Sequence, residues 1–300
     1  GLSVRATGDI RFCCHANGSV GKGLLKNSSG EPLNLGTHSV AEAKNADLIK
    51  EVRSAMLDNR KHLSCMRCYS EEDSGMHSRR QAEAFAWQGS INEAQARKMT
   101  ANDGSIDESS MPLRYLDLRF GNKCNLKCRM CGATESDQWY EGQVKIWNKN
   151  TFRDAGHEFE IVQNEAGQYK LKVDPYHWHE SPKFLRDLDL YLPKMERIYF
   201  AGGEPLLIQS HFELLNKCID LGIAKNVTLE YNTNITALTE STIALWRHFK
   251  VVEVGVSLDG IGAFNDYIRH PSKWSQVSKK IKMLDEADGN LIVWWAATIQ

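Results

Sequence analysis

Three cysteines on one short loop constrain this chain more than any other feature. From Leu113 to Gly132 it reads L-R-Y-L-D-L-R-F-G-N-K-C-N-L-K-C-R-M-C-G, a strand running into a loop with Cys124, Cys128 and Cys131 in a C-x3-C-x2-C spacing. Three thiolates on one tight loop hold a soft metal centre from one side. A closed structural zinc site takes four ligands. A cubane iron–sulfur cluster with three protein ligands instead leaves one iron open to a small molecule. Gly121 and Gly132 let the backbone wrap closely around such a group.

Bulk properties narrow the field. A formal charge of −1 gives no electrostatic reason for nucleic acid as a partner, and no apolar run is long enough to cross a bilayer. A hydrophobic content of 42% with 25% charged residues suits a water-soluble globular chain. No signal peptide is visible. The eight cysteines cluster as C-C, C-x2-C and C-x3-C-x2-C. That pattern argues for metal ligation in a reducing compartment, hence a cytoplasmic protein. The chain starts at Gly1 and stops inside a strand-like run, so further ligands are expected beyond its ends.

Along the chain, Leu2–Arg5 and Ile10–Cys14 read as a hairpin turning at Thr7-Gly8-Asp9. A Gly- and Ser-rich connector follows. Its Gly21-Lys22-Gly23 is no phosphate loop, because Ala16 and Gly23 stand where the first glycine and the Ser or Thr belong. Apolar spacing predicts one helix over 39–59, capped by Thr37 or Ser39, and a polar helix over 78–86. Cys13, Cys14, Cys65 and Cys68 make a second group of thiols, whose C-x2-C pair with two further cysteines suits zinc. Residues 89–111 read as a linker. Strands are expected at 113–120, 197–200, 227–231, 251–258 and 291–300. The helix over 211–221 between them carries Cys218 as a plain core thiol. Strands alternating with helices make a parallel α/β sheet. The stretch 143–182 is too long for a simple connection and reads as a hairpin insertion that could act as a lid. His177 and His179 within it read as surface-loop residues rather than metal ligands.

The cysteine loop, Gly202-Gly203-Glu204-Pro205 and Ser257-Leu258-Asp259-Gly260, in that order, resemble the radical S-adenosylmethionine (SAM) superfamily. The resemblance points to the branch with a SPASM or twitch auxiliary-cluster domain, here N-terminal. It implies a partial (β/α) barrel over 112–300 with the insertion at 143–182, a twitch-like domain over 1–88 and the linker between them. Six barrel strands are usual, so the last is expected to be missing. By resemblance, Cys124, Cys128 and Cys131 hold a [4Fe-4S] cluster, and Gly202, Gly203 and Glu204 take the SAM amino group. Ser257 and Arg269 grip its carboxylate, and Asn232 lies near the ribose. Cys13, Cys14, Cys65 and Cys68 would hold an auxiliary iron–sulfur cluster. The implied reaction is reductive cleavage of SAM to a 5′-deoxyadenosyl radical that abstracts a substrate hydrogen. The electron would come from a flavodoxin or ferredoxin, and a peptide or protein is the first choice of substrate. The alternatives are a small molecule or sugar as substrate, or a non-catalytic zinc or iron–sulfur scaffold.

Overall fold

In a computed structural model, residues 1–16, 21–107, 111–154 and 156–298 are described. The expected connector, linker and final strand run in part through 17–20, 108–110 and 299–300, outside that set. The main sheet holds β1 (Leu2–Val4), β2 (Ile10–Arg11), β3 (Tyr115–Arg119), β7 (Arg197–Ala201), β8 (Thr228–Thr233), β9 (Val251–Val256) and β10 (Leu291–Trp295). A smaller antiparallel sheet of β4 (Thr151–Asp154), β5 (His157–Gln163) and β6 (Tyr169–Leu171) is inserted between β3 and β7. The main order is β10-β9-β8-β7-β3-β1-β2, parallel throughout except for β2.

A parallel strand covered by apolar layers on both faces reads as an unbroken hydrophobic run. These strands alternate instead. Leu116, Leu118, Ile198, Phe200, Leu229, Tyr231, Val252 and Val254 are buried on one face. They share a core with Phe184, Leu188, Leu214, Leu215, Trp246, Val277 and Leu284 from the covering helices. The opposite face carries the row Ser3, Asp117, Tyr199, Glu230 and Glu253, aligned by the strand register. The polar row thus lines the concave side, below the loops at the C-terminal strand ends where such folds place their chemistry.

The N-terminal segment is not set apart from this sheet. β1 pairs with β3 in parallel, Leu2 opposite Leu116, and so supplies a sixth parallel strand on the edge away from β10. The Ser3 hydroxyl donates to Asp117 Oδ2 at 2.6 Å across that join. The single helix expected over 39–59 is two, Val40–Lys44 and Asp47–Leu57, with Ser39 closing a capping box with Glu42. The break falls at Asn45, whose side chain exchanges hydrogen bonds with the backbone of Ile106 at 3.0 and 2.9 Å. The expected linker contains a helix, Glu93–Met99. The insertion has one more strand, β4, than the expected hairpin. It is tied to the β1–β2 hairpin by an Arg5–Asp154 ion pair and by His157 Nε2 against Asp9 Oδ2 at 2.9 Å. Among the described residues no helix is long and apolar enough to cross a membrane.

Candidate active site

The cysteine loop leaves the end of β3 and is pinned by protein groups on several sides. Buried Asn122 donates to Ala133 O and Tyr140 Oη, both at 2.8 Å, closing the loop across its base. Asp137 accepts the Cys124 amide at 3.1 Å, and Trp139 Nε1 donates to Cys128 O at 2.9 Å. The amides of Lys127 and Arg129 donate to His270 O and Ile268 O, at 2.6 and 2.9 Å. The loop geometry therefore has its own support, as a preorganised ligand set requires.

Cys128 is buried, and Cys124 and Cys131 are half-buried. The Cys128 and Cys131 thiols hydrogen-bond to each other. That bond and then the Arg269 guanidinium pull Cys128 below its ordinary value, against burial. Cys131 is pushed up by the same bond and by burial. Burial pushes Cys124 up to about 11, opposed by the Leu126 amide, which donates to its sulfur at 3.4 Å. Asn234 Nδ2 approaches the same sulfur at 3.9 Å. The other five cysteines lie elsewhere: Cys218 in the helix-covered core, and Cys13, Cys14, Cys65 and Cys68 around a separate cavity.

The Gly-Gly-Glu turn after β7 locks against this loop. Gly203 has φ +51°, and a Cβ there would lie 2.3 Å from Lys123 O. A Cβ on Gly202, at φ +79°, would lie 2.7 Å from Arg119 Cβ. Their missing side chains let the turn pack against the end of β3 and the start of the cysteine loop, and the Glu204 amide donates to Lys123 O at 2.8 Å. Glu204 is 1% exposed. It accepts from Thr233 Oγ1 at 2.6 Å, the Asn234 amide at 2.8 Å and the Leu206 amide at 3.1 Å. Burial nonetheless raises its carboxyl above the usual range, with these donors opposing.

The other expected SAM contacts sit around the same rim. Asn232 is exposed on β8 and faces Gly255, where a Cβ would come within 2.5 Å of its Oδ1. Ser257 follows β9, its amide donating to Thr233 O at 2.8 Å. Arg269 is buried, and its Nε lies 2.8 Å from Asp259 Oδ2. Sequence reasoning passed over that partner, along with Thr233, Asn234 and Asn122. The Asn232-Thr233-Asn234 run at a strand end was the available signal. Strand alternation sends Asn232 to the concave face, while Thr233 and Asn234 bond to Glu204.

A cavity of about 580 Å³ joins the concave face to the N-terminal segment, lined by Tyr115 and Asp117 of β3 and by Cys13, Cys14, Cys65 and Cys68. The second group of thiols thus lines one cavity. Asp117 Oδ1 is buried without a hydrogen-bond partner among the described residues. Burial raises its carboxyl, against the fields of Arg119, Arg11 and Arg79 and the bond from Ser3. His177 bonds Glu180 at 3.1 Å and His179 bonds Ser210 at 2.9 Å, so the two imidazoles do not converge on a metal.

A family model described as the Radical SAM superfamily matches residues 118–293, more than half of the chain. An uncharacterized protein of Methanocaldococcus jannaschii is 28% identical over 161 residues, 52% of this chain and 42% of that protein. The chain therefore spans less than half the length of this curated relative. Among solved structures, anSMEcpe with bound AdoMet is similar with a TM-score of 0.38 and 19% identity, over 61% of this chain and 43% of that one. Streptococcus suis SuiB bound to precursor peptide SuiA gives a TM-score of 0.38 and 16% identity, over 84% of this chain and 50% of that one.

Proposed function

Because this chain belongs to the radical SAM superfamily, matched over residues 118–293, we propose that it cleaves S-adenosylmethionine reductively and uses the 5′-deoxyadenosyl radical to take a hydrogen atom from a peptide or protein. The donor set carries this reading. Cys124, Cys128 and Cys131 share one braced loop, and the neighbour that reaches Cys124 from β8 is the Asn234 amide, not a fourth thiol. These three would hold a [4Fe-4S] cluster, which when bound supplies the electron for breaking the S–C5′ bond. The electron itself would come from a flavodoxin or ferredoxin.

The chain's own residues bind and orient. Glu204 is a fixed, buried acceptor; burial raises its carboxyl, and an arriving ammonium would pull it back toward the ionised form. Arg269 keeps donors for a carboxylate beyond the Nε turned to Asp259. Asn232, beside the side-chain-free Gly255, has space for a hydroxylated ring. The peptide reading is supported by the cavity of about 580 Å³ and by the unpartnered Asp117 Oδ1 in its wall, an acceptor suited to an amide N–H. Cys13, Cys14, Cys65 and Cys68 around that cavity are the proposed site of an auxiliary iron–sulfur centre.

The test is anaerobic reduction of the iron-loaded protein with SAM, followed by assay for 5′-deoxyadenosine and methionine. Both are expected from the wild type, and neither from a Cys124→Ala, Cys128→Ala, Cys131→Ala triple variant. A colourless, zinc-filled protein that makes no 5′-deoxyadenosine would instead point to a scaffold.

A further inference from the structure

We infer that His15 is a nitrogen ligand of a metal centre in the N-terminal segment, beside Cys68 and with Cys13 and Cys65 lining the same cavity. This rests on the reading that these thiols hold metal. Cys65 caps the helix Met66–Asp73, and Cys68 and Glu71 follow at steps of three, which puts all three on one helical face. The turn after β2 packs His15 against that face. One ligand atom each from His15, Cys68 and Glu71 lie within 4.8 Å of one another. His15 Nδ1 is buried and has no hydrogen-bond partner among the described residues. A buried polar atom left unpaired costs free energy, and an imidazole lone pair facing a thiol meets that cost by ligating a metal. Glu71 is the weaker donor here, because Arg67 Nε already donates to its Oε1 at 3.2 Å.

The His15 amide donates to Cys13 Sγ at 3.3 Å, which holds the His15 backbone beside that thiol. A neutral imidazole in place of a thiolate makes the centre less negative and, for an iron–sulfur cluster, raises its potential.

The experiment uses the Cys124, Cys128, Cys131 triple-alanine variant, which isolates the N-terminal centre, alone and combined with His15→Ala or His15→Cys. Iron and zinc are counted before and after challenge with a chelator. Pulsed EPR of the reduced protein, or X-ray absorption if the metal is zinc, reads out directly bonded nitrogen. The expected results are metal in the parent with a nitrogen ligand, and at least about tenfold weaker retention in His15→Ala. His15→Cys should keep the metal without the nitrogen signature. Full retention and an unchanged spectrum in His15→Ala would overturn the inference. Zinc with a nitrogen ligand would sustain His15 and defeat the iron–sulfur reading, and no metal at all would defeat both. None of these outcomes bears on 5′-deoxyadenosine formation by the wild type.

Discussion

Glu204 accepts the backbone N–H of Asn234 at 2.8 Å, and the side chain of that same asparagine reaches Cys124 Sγ at 3.9 Å. One residue at the end of β8 thus ties the proposed SAM-binding carboxylate to the cysteine loop. Thr233 adds the shortest of the bonds to Glu204, at 2.6 Å. Thr233→Val should leave a buried acceptor short of a donor and cost about 1–3 kcal/mol. Urea melts of the metal-free protein would read the stability, and SAM titration of the loaded protein should show weaker binding. Unchanged values in both would refute the coupling.

Gly203 packs its α-carbon where a side chain has no room. Gly203→Ala would place a Cβ 2.3 Å from Lys123 O at a φ of +51°. The left-handed backbone alone costs about 1–3 kcal/mol. The clash should also push the cysteine loop outward, so iron content at Cys124, Cys128 and Cys131 should fall by half or more. Normal iron loading in this variant would show that the turn and loop are independent.

Asp259 and Arg269 form an ion pair with side chains 2% and 9% exposed. Removing one partner of such a pair strands a buried charge, so Asp259→Asn should destabilise the fold by about 3 kcal/mol. Adding Arg269→Met should recover part of that loss. Denaturation of the two single variants and the double variant tests this, and strictly additive losses would contradict a direct pairing.

His211 is fully buried beneath the sheet, its Nε2 2.7 Å from Tyr231 Oη. Burial lowers it from 6.5 to about 3. The unfolded chain therefore binds a proton that the folded chain excludes, in the window between those two values. Its contribution to stability is complete above pH 6.5 and is lost as pH falls toward 3, at a limiting slope of about 1.4 kcal/mol per pH unit. The wild type should lose about 2 kcal/mol more between pH 6.5 and 5 than His211→Phe does. Parallel pH dependence in the two proteins would rule this out.

The three-cysteine loop, the strand succession and the parallel sheet were readable from residue order. Each depends on short-range spacing: ligands three and four residues apart, and strands whose apolar residues alternate. What depends on distant residues meeting could not be read that way. Nothing local in Leu2–Val4 says that it pairs with Leu116 and Asp117 more than a hundred residues on, or that Asn45 ends a helix by bonding Ile106.

The division is physical. By its own order, the chain determined which atoms can bind metal and on which loops, because ligand chemistry and loop length belong to single segments. Only the tertiary structure decided what surrounds them: that Gly203 gives way to backbone, that Arg269 lies against Asp259, and that His15 packs beside Cys68 and Glu71. Those contacts follow from how twisted strands and their covering helices stack, which brings remote segments together and sets which donors remain unsatisfied.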